Sequence, residues 1–558
     1  MSTQSTAGID DAGTTDHPSR SDGFVRGVSE VIGGPLGDHA VALDRPAGRE
    51  GRFWTAARIV LALVCLTLAL HWVQKSPCQD GAWQNNIQYT RMCYTDVLAL
   101  YYAEGLNEGK VPYADHPVEY PVLTGYFMGA LGLPVHALGI DDPSINQGQW
   151  FYNLNALVLS ALAVATVGVI LALRRRRPWD AALFAVAPAL VLTATVNWDL
   201  LAVGLAAFGL LAWARRRPAL AGVLLGLGGA AKMWPLFILG PILVLAVRAG
   251  RIPTQETMLR ARVPAKALSI PRSWIMRRVI SLPSAVRRPL GLLQAHAQRI
   301  VQRLRDSPVH AAVTAIVTAV VVLVAVNLPV AIPYRESWDR FFELNTTRPI
   351  DWGTLWYIGR YLDGKVSPPT PGNLGPFEWL NVHIPTLNAL SYLLFGLACL
   401  GVAALALLAP RRPRLAPLAF LVVAAFLIFS KVWSQQFVLW LLPLAVLARP
   451  RWGAFLAWQV AEVCYFAAFY GELLGAATSR PVFPEGVFVL AASLRLITVA
   501  VLCGFVIRDI LHPEHDAVRR TYADDPDGGV LDGARDAPWY TRLQGRPTST
   551  HGEPAQSR

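Results

Sequence analysis

The sequence predicts an all-α polytopic membrane protein, and three observations predict it. Of 558 residues, 53% are hydrophobic and only 16% charged, with a mean hydropathy of +0.37. That is more apolar surface than a soluble fold can bury. Apolar runs of membrane-spanning length recur from residue 53 to residue 506. The basic residues behind the net charge of +12 cluster at the ends of those runs, as in RRRR at 174–177 and RRR at 215–217. Such placement follows the positive-inside rule and argues against a nucleic-acid partner.

Taken in order, the chain opens with a polar leader rich in Gly, Ser and Asp, residues 1–52, expected to be disordered, cytoplasmic and without a cleavable signal. A membrane domain is expected over 53–508. Its first crossing, 53–73, follows Arg45, Arg49 and Arg52, which places a long loop, 74–149, outside. The apolar run 118–138 reads as a helix on or dipping into the outer surface. A crossing there would send 174–177 to the wrong side, and Gly125, Gly129, Gly132 and Pro134 weaken a helix interior. Crossings two to four then fall at 150–173, 179–196 and 198–214, and a hairpin of two halves, 219–247, turns around Lys232 and Pro235 and carries Lys232 towards the outer side.

A basic cytoplasmic loop spans 248–310, and two readings of it stay open: helices on an anionic leaflet, or a solvated loop. Crossing seven, 311–332, leads to a second outer loop, 333–382, rich in Trp, Tyr, Pro and Gly. Crossing eight, 385–409, ends at Arg411, Arg412 and Arg414, and crossing nine ends near 429 at an outer turn, SKVWSQQ. Crossing ten returns to Arg449 and Arg451, crossing eleven starts at 453, and crossing twelve spans 487–506. A charged tail, 509–558, is expected to be disordered. The count is about twelve crossings with both termini cytoplasmic, in a plasma membrane and among its lipids.

Of six cysteines, Cys65, Cys399, Cys464 and Cys503 fall in apolar runs and read as packing residues. Cys78 and Cys93 lie in the first outer loop, where an oxidising compartment permits a disulfide; two free thiols is the other reading. The sequence implies no metal, since no His or Cys pair has zinc spacing, and no cofactor, since no Gly-rich phosphate loop follows a strand.

Polar residues therefore gather at the outer face, away from nucleotide sugars and ATP. A polyprenyl-phosphate sugar is a donor available there. Its chemistry needs a carboxylate to take a proton from an acceptor hydroxyl and cations to steady the departing phosphate. Asp96 is the candidate base. Lys232, Arg348 and Lys431, near outer helix ends, are the candidate phosphate partners.

The segments CYTDVLALYYAEGLNEGKVPYADHPVEYPVLTGYFM, VNWDLLAVGLAAFGLLAW, GLGGAAKMWPLFILGPIL and FSKVWSQQFVLWLLPL resemble glycosyltransferase family 87. These are polyprenol-phosphate-mannose-dependent membrane mannosyltransferases of actinobacteria. The resemblance covers about residues 53–506 and implies a GT-C type fold with juxtamembrane helices in the first outer loop. It also implies a catalytic aspartate that falls on Asp96, an inverting transfer of a hexose such as mannose, and a glycolipid or glycan acceptor. The long basic insert 251–305 departs from that pattern.

Each candidate has a second reading. Asp96 has the position of an N-cap for the helix begun by VLALYYAEGL. Glu119 and Tyr120 either orient the juxtamembrane helix or meet the acceptor, while Asp115 reads as a solvated residue and His116 as solvated or a supporting partner. Asn197 and Asp199 sit at an outer turn as substrate contacts, or Asp199 as a cap. Ser434, Gln435 and Gln436 offer neutral donors for phosphate or sugar hydroxyls. Trp352, Trp356 and Tyr357 are candidates for stacking on a sugar or for anchoring at the interface, and Glu462 and Arg495 are expected to pair and fix two crossings. Two other classes remain open: a lipid-linked-sugar flippase or transporter, and a non-catalytic subunit of an envelope assembly.

Overall fold

The computed structural model describes residue 24 and residues 55–250, 307–366 and 374–543. Among them every regular element is a helix, apart from two isolated bridges, since backbone in lipid must satisfy its own hydrogen bonds. Seven helices are long and apolar enough to cross a membrane, which makes this an all-α multi-pass membrane protein. The leader, apart from residue 24, and most of the basic loop lie outside the described residues.

Helix α1 (Ala56–Lys75) starts at Thr55, whose hydroxyl accepts the Arg58 N–H. Short α2 (Asp96–Ala103) follows the Cys78–Cys93 disulfide, which is formed. The run expected at the surface becomes α3 (Val122–Asp141), with Pro134 inside it, and this helix meets the length and composition of a crossing. Asn146 caps α4 (Gln147–Leu173) by accepting the Gln149 N–H at 3.1 Å.

The run 179–196 is not one helix. It breaks into the turns Pro178–Ala181 and Ala182–Ala185 and then α5 (Pro188–Thr193), because Pro188 has no N–H to continue the preceding turn. Next come α6 (Asp199–Ala214), α7 (Pro218–Ala231) and α8 (Leu239–Arg248). The last two are the expected halves that part at Lys232.

Helix α9 (Pro308–Ala331) packs on α7 through small residues. A Cβ on Gly222 would come 1.9 Å from Thr318 Oγ1 and 2.1 Å from Ala315 O, and one on Gly226 would come 2.6 Å from Ala319 O. This is the small-residue spacing that lets membrane helices approach closely. The second loop folds into α10 (Arg335–Thr347), α11 (Leu355–Val366) and α12 (Pro376–Val382). Five helices complete the bundle: α13 (Ile384–Leu408), α14 (Leu415–Phe429), α15 (Val438–Ala448), α16 (Trp452–Thr478) and α17 (Glu485–Leu511). Every residue of α15 is buried, as expected of a helix apolar on all sides.

The tail expected to be disordered is folded as far as α18 (Pro538–Leu543). Its aspartates meet the arginines at one end of the bundle. Asp527 accepts two bonds from the fully buried Arg174, at 2.5 and 2.6 Å, and Asp516 accepts two from Arg414, at 2.7 and 3.1 Å. Asp536 takes Arg248 at 3.0 Å and Asp524 takes Arg412 at 3.1 Å. The same arginines donate to carbonyls that helix ends leave unpaired: Arg174 to Leu447 O, Arg414 to Leu447 O and Ala448 O, and Arg248 to Ala406 O. Composition misled here because the tail folds through charge pairing to clusters remote in the chain and not through an apolar period.

Replacing Asp527 with Ala would leave the Arg174 guanidinium buried and unpaired, a change that costs on the order of 3–5 kcal/mol. Thermal unfolding of the purified protein in detergent should show a clearly lower midpoint. An unchanged midpoint would mean that the tail is not holding this end together.

Candidate active site

The first loop docks on the α5–α6 junction through backbone and hydroxyl bonds. The Thr95 hydroxyl donates to Thr195 O at 2.6 Å, and Asp96 N–H donates to Val196 O at 2.7 Å. Thr195 is itself held by His71 of α1 and by Tyr152 of α4. The N-cap of α2 is Thr95, whose Oγ1 accepts the Val97 N–H. The capping reading of Asp96 is thereby corrected: at the first helical position its carboxylate is free to face another element.

It faces Asn197. The Asn197 Nδ2 donates to Asp96 Oδ2 at 2.7 Å and to Tyr120 Oη at 2.6 Å, and its Oδ1 accepts from Lys232 Nζ at 3.2 Å. Lys232 also lies 4.5 Å from the centre of the Tyr120 ring and 3.9 Å from Asp199 Oδ1. Asp199 is fully buried. Its Oδ1 accepts the Trp440 Nε1–H at 2.6 Å, while Oδ2 has no partner. Thr124 of α3 donates to Ala231 O, beside Lys232, and so ties Tyr120 and its helix to the same break. Asp96, Tyr120, Asn197, Asp199 and Lys232 thus form one connected group.

Asp96 is half-buried. Burial pushes its pKa above the ordinary carboxylate range, against the opposing pull of hydrogen bonds from Asn197 and Tyr94 and of the Lys232 and Lys75 charges. Glu119 stands near enough to feel Asp96, Arg348 and Lys232, and burial, with Asp96, raises its carboxyl too. His116 turns away from Asp96 to Glu104, at 3.3 Å, and Asp115 holds the Val111 N–H of its own turn. The Glu104 carboxyl is pushed up to about 7, mainly by burial.

A second cationic group lies at the SKVWSQQ turn. Lys431 Nζ donates to Arg348 O at 2.6 Å, and Lys431 O accepts the Asp351 N–H at 3.0 Å. Burial and the Arg348 guanidinium bring the Lys431 ammonium down to about 8. Glu119 feels both Arg348 and Lys232. Ser434 is half-buried and Gln435 and Gln436 are buried. Gln435 lies beside Tyr470, whose hydroxyl donates to Tyr94 O, so this turn approaches the Asp96 loop.

Of the three aromatic candidates in the second loop, Trp356 and Tyr357 are buried in a core and Trp352 is half-buried against it. Trp356 donates to Phe429 O, Tyr357 to Glu485, and Trp352 packs edge-on against Phe469 and Phe488. The expected Glu462–Arg495 pair is not made. Glu462 accepts from Trp458, and Arg495 donates to Gly353 O and Trp433 O.

Sequence reasoning missed Lys75. It is completely buried, donates to Tyr94 O at 2.9 Å, and places a positive charge where Asp96 feels it. A lysine at the end of an apolar helix reads as an ordinary flank, so only the fold reveals it. Tyr94 and Trp440, which hold Asp96 and Asp199, were missed for the same reason.

With this geometry described, comparison with known families and proteins adds no relative: no protein-family model matches the chain, and no curated protein matches it significantly.

Lys75→Met would remove a charge that favours ionised Asp96. The pH at which Asp96 stops reacting with a water-soluble carbodiimide, read by mass spectrometry, should move upward. A midpoint that stays in place would show that Lys75 acts on the loop alone.

Proposed function

We propose that the protein is an inverting glycosyltransferase of GT-C type. In this reading it moves a hexose, mannose by the sequence resemblance, from a polyprenyl-phosphate donor to a glycolipid or glycan at the outer face of the plasma membrane. About twelve crossings and cytoplasmic termini go with it. The shorter buried helices then count as crossings, and α3 counts as juxtamembrane. The observation that carries the proposal is Asp96: a half-buried aspartate whose carboxylate accepts from Asn197, with Lys232 one amide away.

In the reaction, the acceptor hydroxyl gives its proton to Asp96 and its oxygen attacks the anomeric carbon. The bond from that carbon to the phosphate oxygen breaks, and the electron pair leaves with polyprenyl phosphate. Inversion follows from attack opposite the leaving group. Lys232, Lys431 and Arg348 are the cations available to the phosphate. Asn197 and Tyr120 hold the base in place, and Glu119, Asp199, Ser434, Gln435 and Gln436 are the remaining polar contacts for substrate.

The test is incubation of purified protein with radiolabelled polyprenyl-phosphate mannose and an envelope lipid extract, followed by separation of labelled lipids. Asp96→Asn preserves shape but cannot take a proton. It should lower turnover by roughly a hundredfold to ten-thousandfold while leaving donor binding intact. An Asn variant that turns over normally would refute the assignment.

Only ionised Asp96 can act as the base, and burial raises its pKa. Activity should therefore be present at high pH and be lost as pH falls through that raised value. The acid limb of kcat/KM should lie at higher pH than an ordinary aspartate would give. An acid limb in the ordinary aspartate range would contradict the role given to burial.

A further inference from the structure

One buried cation has no place in the site described so far. Arg495 of α17 is fully buried, and its guanidinium lies between two rings, 4.2 Å from the centre of Trp433 and 3.6 Å from that of Tyr465. Nη2 donates to Gly353 O at 3.2 Å and Trp433 O at 2.9 Å, whereas Nε and Nη1 have no partner. The neighbouring polar atoms are in the same condition. Tyr465 Oη, Trp433 Nε1 and Gln435 Oε1 are buried and unpartnered. The arginine stacks on the face of the Tyr465 ring. Tyr465, Gln435 and Glu462 line one cavity between α5, α15 and α16.

Leaving one buried polar group without a partner costs about 1–3 kcal/mol, and here several lie on neighbouring residues, of which Tyr465 and Gln435 line the cavity. We propose that Arg495, Trp433 and Tyr465 form a binding site for a phosphate-type oxyanion. Unpaired donors outnumber the single unpaired acceptor, and one of them is a permanent cation, which suits an oxyanion better than a neutral polyol. The setting is also cationic. Lys431 stands two residues from Trp433, while Asp351 places a carboxylate near both Arg348 and Arg495 and opposes a bound anion. Glu462 is the carboxylate on the cavity and opposes a bound anion, although Trp458 takes one of its oxygens. If the transferase reading holds, the oxyanion is the phosphate of the lipid donor or product. The site itself rests on the unpaired donors and not on that reading.

The experiment measures binding of undecaprenyl phosphate, undecaprenol and inorganic phosphate to the full chain in phosphatidylcholine nanodiscs. The wild type should bind undecaprenyl phosphate well and undecaprenol poorly. Arg495→Lys keeps the charge but removes the planar donors, and should weaken undecaprenyl phosphate about tenfold. Tyr465→Phe removes a hydroxyl with no partner in the protein. It should leave folding intact and weaken the same ligand several-fold, so it decides the matter even if the Arg495 variant fails to fold. Glu462→Gln should tighten binding.

Competition by inorganic phosphate at equal concentration would support the site and identify the ligand as free phosphate. Undiminished binding in Tyr465→Phe, or no preference of the wild type for undecaprenyl phosphate over undecaprenol without such competition, would overturn the proposal and leave Arg495 as a pin for the second loop. Phosphate binding lost in the variants without any sugar transfer by the wild type would uphold the site and sink the transferase reading. Transfer with binding unchanged in both variants would do the reverse.

Discussion

The amide of Asn197 is the interaction on which the Asp96 end of the molecule depends. One side chain gives its N–H groups to Asp96 and Tyr120 and its oxygen to Lys232. An ammonium in direct contact with Asp96 would stabilise the carboxylate, lower its pKa and leave it a weak base. With an amide between them, the cation stays close enough to favour the charged form but does not occupy the oxygens. The opposing influences of burial and of two lysines on Asp96 are the electrostatic result. The mechanical result is that α1, α2, α4, α6 and the break after α7 all converge on residues 195–197.

The two ends of the bundle bury charge in opposite ways. At the arginine end Arg174 and Arg414 each have a carboxylate of the tail and a helix-end carbonyl, so their charge is compensated, and Nε of Arg174 is left without a partner. At the Asp96 end the compensation is incomplete: Asp199 keeps one free oxygen, and Arg495 keeps two free nitrogens. Incomplete pairing is costly in a buried setting. Charge is thus matched by carboxylates at one end, while the other end keeps more of its buried polar atoms unpaired.

Much of this was legible in the sequence, and the failures have a common cause. Helix positions followed from apolar runs and from breaks at Lys232 and in SKVWSQQ, because one dimension suffices to see a run or a break. Asp96, Asn197, Asp199 and Lys232 stood out as polar residues at such breaks, and the fold brings them together. Whatever depends on the third dimension was hidden. Thr95 takes the cap because a hydroxyl can accept from Val97 and donate to Thr195 at once. The second-loop aromatics looked available for a sugar but fill a core between α11, α16 and α17. The aspartates Asp516, Asp524, Asp527 and Asp536 of the tail looked like part of a solvated stretch until their arginine partners, far away in the chain, were set beside them.

The SKVWSQQ turn joins the two halves of the Asp96 end. Its Gln435 lies beside Tyr470, whose hydroxyl reaches Tyr94 O two residues before Asp96, and Lys75 donates to the same carbonyl. Its Trp433 carbonyl holds Arg495, and its Lys431 holds the Arg348 carbonyl at the start of the second loop. Neither end of the turn can shift without moving a group that Asp96 or Arg495 leans on. A ligand that spans both, with an anion at the arginine and a hydroxyl at the carboxylate, would fix the turn from two sides. A ligand that fills only one would leave the other free to move. Preference for a ligand carrying both groups is thus built into the connectivity of this turn, whatever the identity of the molecule that carries them.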